Sequence, residues 1–307
     1  MTNSLSGTVS HHLLPITVHA PAKVNLILRI LDRRADGYHN LWSIMQTVAL
    51  EDALQINLKS DSQQIQLQCD SEQLAADRSN LVYRAAAAVL DRAKMTVGLE
   101  IRLAKKIPMG AGLGGGSSDA AATILGLNHV LMLGWSTAQM ADVGQPLGSD
   151  IPFFFYAPCA SVSGRGETVR AVAIDGTRWA VLVNPGFGVE TKWAYQQLAT
   201  MRGSVRPLSP RHAGLERQRD VTWAQIIAAA ENDFELPVFA QHGLLREIKE
   251  TLLASGAEVA LLSGSGVTVF GLFHDEATAR RAGGQFSPQQ NFKVFIVSTC
   301  SGPLAVR

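Results

Sequence analysis

The sequence predicts an α+β protein built as two lobes. Short segments of β-branched and apolar residues are interspersed with segments whose apolar residues recur every three or four positions, and these periodicities are typical of strands and helices. The elements do not follow the regular alternation of a doubly wound parallel sheet. A chain of 307 residues can form two domains, and the pattern restarts near Ala171. We therefore predict one domain over residues 1–170 and a second over residues 171–307.

The first half of the chain supplies strands and two helices. The strands predicted there are residues 16–20, 24–31, 54–58, 65–68, 99–103 and 151–156. The helices are residues 80–94, which are rich in alanine, and residues 118–133.

The second half repeats the mixture of element types. Strands are predicted over residues 179–183, 259–262, 267–273 and 292–297, and helices over residues 191–199 and 244–254. Residues 201–220 are rich in Arg, Pro, Ser and Gly, which favours an exposed loop over a phosphate-binding patch.

Composition narrows the class of protein. Hydrophobic residues make up 47% of the chain and charged residues 17%, which indicates a packed globular core. The net charge is +1, so bulk charge attracts neither nucleic acid nor an anionic membrane. The N-terminal residues lack the features of a signal or transit peptide, and no segment has the apolar length of a membrane helix.

The three cysteines, Cys69, Cys159 and Cys300, are scattered and show no metal-binding spacing. They predict a reduced protein in the cytoplasm, without a disulfide framework or a zinc site.

A glycine-rich segment carries the strongest chemical signal. Residues 106–119 read KIPMGAGLGGGSSD. The last residues of this segment form the start of a predicted helix, which begins at Ser117 or Ser118. Glycine lets bare amides approach a ligand, and a helix N-terminus adds free N–H groups and a positive dipole end. The turn from Pro108 to Ser118 is therefore predicted to bind phosphates.

Other glycine-rich loops fit less well. Gly110, Gly112 and Gly115 satisfy the G-x-G-x-x-G pattern of dinucleotide-binding proteins. However, Pro108 interrupts the connection from the preceding strand, and no later strand ends in the acidic residue that this motif requires about 20 residues on. The Walker pattern fails because Gly116-Ser117 stands where Gly-Lys is required, and the protein-kinase motifs are missing from the sequence. A flexible linker is the remaining alternative, but linkers rarely have Pro and Met before the glycines or a long apolar helix immediately after them.

The glycine loop resembles that of the GHMP kinases, and four further segments match in the family's order. They read PAKVNL at 21–26, RADGYH at 34–39, GSDIPF at 148–153 and LSGSG at 262–266. The first two are similar to the branch that phosphorylates a cytidine diphosphate-linked methylerythritol in the non-mevalonate route to isoprenoids. Ser149 and Val267 depart from the family's usual alanine and proline.

The resemblance implies a fold and a set of roles. The fold is a ribosomal S5 domain 2-like N-terminal domain with a ferredoxin-like C-terminal domain. Lys23 and Asp150 match the catalytic pair at the reacting hydroxyl, where Asp150 accepts the proton. Asn25 matches a residue near the substrate hydroxyls. A surface lysine and a capping aspartate are the ordinary alternatives for that pair.

Two ligands follow from the same resemblance. Tyr38 and His39 match residues that hold cytosine, and Thr191 and Tyr195 match the opposite side of the base, although an ordinary core tyrosine is the alternative for Tyr195. ATP is implied together with Mg²⁺, for which Ser117 or Ser118 could supply an oxygen. The residues predicted to bind ATP are Pro108, Met109, Gly110, Ala111, Gly112, Leu113, Gly114, Gly115, Gly116, Ser117 and Ser118, with Asn80 and Lys105 near the adenine.

The partners predicted are a small molecule carrying cytidine diphosphate and no nucleic acid or membrane, and the protein is expected to be a monomer or weak homodimer. Three alternatives remain open: a GHMP kinase for another alcohol such as homoserine or mevalonate, a nucleotide-binding regulator, and a dinucleotide-dependent oxidoreductase. The Asp-Gly-Tyr-His segment speaks against the first, because those alcohols carry no base.

Overall fold

The structure is a computed structural model that describes residues 15–35, 37–202, 206–286, 291–300 and 302–306. The strands are β1 (Ile16–Arg33), β2 (His39–Lys59), β3 (Ile65–Cys69), β4 (Gly98–Ala104), β5 (Cys159–Gly164), β6 (Thr168–Ala171), β7 (Ala173–Ile174), β8 (Trp179–Asn184), β9 (Asp220–Val221), β10 (Glu231–Asn232), β11 (Val259–Leu262), β12 (Val269–Phe273) and β13 (Lys293–Ser298). The helices are α1 (Leu81–Ala93), α2 (Gly115–Val130), α3 (Thr137–Gly144), α4 (Ile151–Phe154), α5 (Thr191–Arg202), α6 (Pro210–Glu216), α7 (Trp223–Ala229), α8 (Glu235–Gln241), α9 (Gly243–Ala254) and α10 (Glu276–Gly283).

A seven-stranded sheet contains the strands of the first half of the chain. Its order is β10-β1-β2-β4-β3, with β5 paired to β2 and β6 paired to β5. Helices α1 and α2 pack against each other and against this sheet. Their small and apolar side chains, such as Val89 and Leu127, share one buried core with Leu54, Ile56 and Leu99 of the sheet.

A second sheet belongs to the other lobe. Its order is β11-β12-β8-β13, all antiparallel, with α9 and α10 packed on it. Counted along the chain from β8, this is the strand order of the split β-α-β ferredoxin-like motif. The predicted α+β, two-lobe fold is confirmed.

One short strand crosses between the halves of the chain. Glu231–Asn232 (β10) follows several second-half elements but pairs in parallel with Ile27 and Leu28 of β1. The second half therefore contributes a strand to the first sheet. The domain division after residue 170 stays a prediction.

The strand predicted over residues 151–156 is wrong. Ile151–Phe154 form the helical turn α4, with Asp150 at its N-cap position and proline in its first turn. A short apolar run fits a buried helix as well as a buried strand, and proline at the first positions of a helix favours the helix.

The exposed loop predicted over residues 201–220 is also partly wrong. Pro210–Glu216 form helix α6, in which Ser209 caps the N-terminus and His212 and Leu215 are buried. Arg202 ends helix α5 and pairs with buried Asp233. Residues 203–205 lie outside the described part of the chain.

Candidate active site

The glycine loop connects strand β4 to helix α2. Gly110, Gly112 and Gly114 all have positive φ angles, of 64°, 82° and 69°, so the loop takes a path that side chains resist. The helix begins at Gly115, two or three residues before the predicted start at Ser117 or Ser118. The structure describes residues 110–117 in full, and none of their backbone N–H groups donates a hydrogen bond to another protein group. The loop therefore presents a row of free amides at a helix N-terminus.

A second glycine turn lies against this loop. A Cβ on Gly112 would come within 2.0 Å of the Ser263 carbonyl oxygen, so only glycine fits there. The Ser263 hydroxyl donates to the Gly112 carbonyl at 2.9 Å. The turn of Gly264, Ser265 and Gly266 is thereby fixed beside the loop.

Lys23 is held at the bottom of the cleft. It is 3% exposed, and its ammonium group donates to Asn25 Oδ1 at 2.7 Å. Asn25 donates in turn to the Ser43 hydroxyl at 2.9 Å, and Ser43 donates to the Ile27 carbonyl at 2.6 Å. This chain orients the amide of Asn25 and leaves Lys23 little freedom. Lys23 is a buried lysine, not the surface residue that was the alternative.

Asp150 faces Lys23 across 3.5 Å, measured from Nζ to Oδ2. It occupies the N-cap position of α4, but its carboxylate makes no capping hydrogen bond. Its side chain is 32% exposed. The carboxylate is therefore oriented by a cation on one side and open to the cleft on the other.

Aromatic rings line the far end of the cleft. The rings of His39 and Tyr195 are stacked, with centroids 4.8 Å apart and planes inclined by 23°. Phe234 meets the Tyr195 ring edge-on at 4.8 Å. Tyr38 is 60% exposed, and the Arg165 guanidinium lies 5.2 Å from its ring centroid. These rings provide flat apolar faces for a planar ligand.

Burial, helped by neighbouring charges, shifts the pKa values of His39 and Tyr195 toward their neutral forms. Burial and the charge of Arg33 lower the pKa of His39, against a smaller opposite effect of Asp32. Burial, and then the charge of Asp150, raise the pKa of Tyr195 to about 12. Both side chains can therefore contact a base without carrying a charge at neutral pH.

Thr191 is placed by the second glycine turn. The Ser265 hydroxyl donates to Thr191 Oγ1 at 3.0 Å, at the first residue of α5. The helix that carries Tyr195 is thus tied to the turn beside the phosphate loop.

Two cavities meet at the glycine loop. The larger, of about 1170 Å³, extends from Lys23 and Asp150 to Tyr38 and Tyr195. The smaller, of about 390 Å³, lies between the loop and the residues around Asn80 and Lys105. Gly112, Gly114 and Ser117 line both. A ligand with phosphates on the loop could therefore extend into either cavity.

Asn80 and Lys105, which were predicted to lie near adenine, make hydrogen bonds and ion pairs within the protein. Asn80 caps α1 by accepting from the Val82 amide, and its amide group donates to the Ala75 carbonyl at 2.7 Å. Lys105 pairs with Asp52 and Asp119 inside the protein. Both line the smaller cavity, but their polar side-chain atoms are engaged by the protein.

Comparison with known proteins assigns the chain to a family. The sequence model described as GHMP kinases N terminal domain matches residues 80–157, and that described as GHMP kinases C terminal matches residues 212–289. A protein of Geobacter sp. (strain M21) named 4-diphosphocytidyl-2-C-methyl-D-erythritol kinase is 41% identical over 91% of this chain and 97% of its own length. One of the same name from Syntrophotalea carbinolica is 42% identical over 91% and 96%.

The chain belongs to the 4-diphosphocytidyl-2-C-methyl-D-erythritol kinase family. As a member of the GHMP kinases it is an ATP-dependent kinase. Solved structures agree with this assignment. A crystal structure of 4-(cytidine 5'-diphospho)-2C-methyl-D-erythritol kinase superposes with a TM-score of 0.75 at 32% identity, covering 93% of this chain and 100% of the other. A homoserine kinase from Cytophaga hutchinsonii superposes with a TM-score of 0.72 at 18% identity, covering 100% and 99%, and shows the shared fold alone.

Four polar residues of this kinase's site were not predicted from its sequence. Ser43 accepts from Asn25, which in turn holds Lys23, and Asn232 donates to the second glycine turn. Asp52 and Asp119 form ion pairs with Lys105. Ser43, Asp52 and Asn232 belong to no sequence motif and lie far along the chain from their partners, whereas Asp119 ends the glycine-rich segment but carries no separate signal. No helix in the described ranges is long and apolar enough to cross a membrane.

Proposed function

We propose that this kinase transfers the γ-phosphate of ATP to the 2-hydroxyl of 4-diphosphocytidyl-2-C-methyl-D-erythritol. The products are the 2-phosphate and ADP, and the reaction belongs to the non-mevalonate route to isoprenoid precursors. The names of the relatives support this substrate. Within the molecule, one observation carries the proposal: the Lys23–Asp150 pair lies in one cleft between the free loop amides and a group of aromatic rings.

Each part of the cleft has a separate task. The amides of the loop bind the phosphates, and the second glycine turn closes over them. Asp150 accepts the proton of the attacking hydroxyl, since its carboxylate is open to the cleft. Lys23 orients that carboxylate from 3.5 Å and offsets charge on the transferring group. Asn25 fixes the direction of the ammonium group and lines the larger cavity, where we propose that a second substrate hydroxyl binds.

The aromatic end selects the substrate. A cytosine ring is planar and has donors and acceptors on its edge. Tyr38, together with the stacked pair of His39 and Tyr195, offers faces for stacking and a neutral imidazole for the edge. Thr191 sits between this end and the phosphates. The long cleft therefore suits a substrate whose base is remote from the reacting hydroxyl.

The adenine of ATP is proposed to occupy the smaller cavity. Pro108, Met109 and Leu81 give this cavity apolar walls. Because the Asn80 and Lys105 side chains are engaged by the protein, we propose that they shape the cavity and fix the loop. Direct recognition of the base is then left to neighbouring backbone groups.

The site also fits Mg²⁺. Within the described ranges no cluster of three His, Cys, Asp or Glu side chains could hold a metal by itself. Ser117 and Asp150 both line the larger cavity and offer the hard oxygen donors that Mg²⁺ prefers. Ser118 is completely buried and lines neither cavity, so Ser117 is the better candidate of the two serines. When bound with ATP, the ion neutralises charge on the phosphates.

Three further proposals concern the location, the assembly and the domain limits of the protein. Cys69, Cys159 and Cys300 are all free thiols, which supports a reducing cytoplasm. We retain a monomer or weak homodimer, and domains over residues 1–170 and 171–307, as proposals.

A panel of acceptors tests the function directly. Purified protein is incubated with ATP, Mg²⁺ and, separately, the cytidylyl substrate, methylerythritol phosphate, homoserine and mevalonate, and the formation of ADP and of phosphorylated product is measured. Turnover is expected with the cytidylyl substrate and little with the other three. Equal or faster turnover of homoserine or mevalonate would overturn the proposal.

A further inference from the structure

A buried asparagine holds the second glycine turn from behind. Asn232, in strand β10, is 3% exposed. Its side-chain amide donates two hydrogen bonds, one to the Leu262 carbonyl just before the turn at 2.7 Å and one to the Gly264 carbonyl in the turn at 2.8 Å. Its Oδ1 accepts from the Phe234 amide at 2.9 Å. All the strong hydrogen-bonding groups of this side chain are therefore used, and two of them fix one end of the turn.

The turn it holds is close to the reacting groups. Gly264 has a φ of +59°, and a Cβ built on it would lie 3.4 Å from Lys23 Nζ and 3.3 Å from the Gly112 carbonyl oxygen. Across the turn, which the structure describes in full, the Gly264 and Ser265 amides have no protein acceptor. The turn thus offers two free N–H groups beside the catalytic lysine and the phosphate loop.

Strand β10 itself is firmly anchored to the strand that carries Lys23. Asn232 pairs in register with Leu28 of β1, and the following Asp233 accepts from the Ile30 amide at 2.6 Å. A short path therefore runs from β1 through β10 to the turn. The turn belongs to the other lobe, so its distance from Lys23 depends on this path together with the Ser263–Gly112 hydrogen bond.

We propose that Asn232 is a positioning residue for phosphoryl transfer, which sets the Gly264–Ser265 amides against the phosphates and Lys23. This rests on the proposed kinase function but not on the identity of the alcohol. An asparagine is suited to the position because it can donate twice to carbonyls and accept once from an amide. Misplacement of an electrostatic donor by about 1 Å can cost on the order of 10²-fold in rate.

Asn232→Asp is the sharpest variant. It preserves the oxygen that accepts from the Phe234 amide, so the contact between Phe234 and Tyr195 should remain. It removes both N–H donors and places a negative charge beside the Leu262 and Gly264 carbonyl oxygens. We expect kcat to fall about 10- to 100-fold. The KM for the cytidylyl substrate should stay within about threefold, because the aromatic end is untouched. Hydrogen exchange in peptides covering residues 263–268 should become faster.

Asn128→Asp is the matched control. Asn128 also bridges a backbone turn, donating to the Trp135 carbonyl at 3.1 Å and accepting from the Trp135 amide at 2.9 Å, but it lies on α2 away from both cavities. It should lower the melting temperature without lowering kcat. If Asn232→Asp does not fold, Asn232→Gln keeps the donors but carries them one methylene too far, and it should show the same kcat loss.

The outcomes separate this proposal from the proposed function. The kcat ratio is measured with whichever alcohol the unaltered protein phosphorylates, so a different substrate would leave this test intact. A folded Asn232 variant with kcat within about threefold of the unaltered protein would overturn the proposal. So would a kcat loss matched by Asn128→Asp, or unchanged exchange over residues 263–268.

Discussion

The Lys23 ammonium and the Asp150 carboxylate approach to 3.5 Å, yet the two side chains are held in opposite ways. Lys23 is buried and tied to Asn25, which is itself tied to Ser43. Asp150 is partly exposed and makes no capping bond to its own helix. The lysine is thus the fixed member of the pair, and the aspartate is the member whose carboxylate is open to the cleft.

Asp150→Asn should lower kcat by roughly 10²–10⁴, the usual range for removing a positioned acid or base. The amide has nearly the same shape, so the affinity for a non-hydrolysable ATP analogue should hardly change. Steady-state kinetics and calorimetry give the two quantities. Asp142→Asn, at an exposed carboxylate on α3, is the control. Turnover within a few-fold of the unaltered protein would remove Asp150 from the role of base.

Gly114→Val should strongly weaken ATP-analogue binding while the protein stays folded. Gly114 has positive φ, and a Cβ there would meet Lys23 Cγ at 2.8 Å, so both the loop path and the lysine are disturbed. Gly134→Ala is a control for backbone strain alone, because Gly134 also has positive φ but has no atom within 4 Å of the added Cβ. Calorimetry on both variants checks this. Equal analogue affinity for the Gly114 variant and the unaltered protein would mean that the phosphates bind elsewhere.

The glycine loop was predictable because its chemistry is local. Its glycines, its helix and its row of amides are all neighbours in the sequence, and the positive φ angles confirm why glycine is needed. Strand β2 was predictable only at its end. Its first part carries Gln46, Thr47 and Asp52, all buried polar residues that hide the apolar pattern of a strand.

The supports of the site were not predictable because they are contacts across long sequence distances. Asn232 meets Gly264, and Asp52 meets Lys105, only once the sheets have formed. Lys105 was predicted as an adenine contact, and its nearest partners are two carboxylates. A lone asparagine or aspartate has no periodicity, so tertiary packing alone reveals its role.

Asp119→Asn should change the pH dependence of stability. Burial raises the pKa of Asp119 to about 7; Lys105 opposes this and the charge of Asp52 adds to it. An unfolded aspartate has a pKa of 3.8, so between about pH 4 and pH 7 the folded state keeps a proton that the unfolded state has lost. The contribution of Asp119 to stability therefore declines as pH rises through this window. The asparagine variant does not titrate and should gain relative to the unaltered protein from pH 5 to pH 8.

Melting temperatures at pH 5, 6, 7 and 8 measure this difference. Asp91→Asn, at an exposed aspartate on α1, should give a nearly constant difference over the same range. A constant difference for Asp119→Asn as well would show that the buried carboxyl does not titrate there.

Tyr195→Phe and Tyr195→Ala form a matched pair for the substrate end. The phenylalanine keeps the ring stacked on His39 and, because the Tyr195 hydroxyl stays neutral, changes no charge. Its KM for the cytidylyl substrate should stay within a few-fold. The alanine removes the stack and the edge contact with Phe234, so its KM should rise about tenfold or more. Similar KM values for both variants would argue against a base at this end.

Tyr38→Ala combined with His39→Ala tests whether the kinase recognises cytosine at all. Tyr38 is 60% exposed, so its removal should cost little stability and leave binding as the main effect. Contacts to a remote part of a substrate supply binding and orientation, not chemistry. The KM for the cytidylyl substrate should therefore rise much more than the KM for ATP. Some loss of kcat is expected, because a loosely held base lets the hydroxyl drift from Asp150.

The same reasoning applies to the substrate instead of the protein. Methylerythritol phosphate has the reacting hydroxyl but lacks the cytidine, so the unaltered kinase should phosphorylate it very slowly. The double variant should lose much of this discrimination, because it can no longer hold the part that distinguishes the two alcohols. The ratio of kcat/KM for the two alcohols, measured for both proteins, expresses the discrimination directly. A ratio near one for the unaltered protein would mean that the aromatic end does not bind cytosine, and that this chain acts on a smaller alcohol.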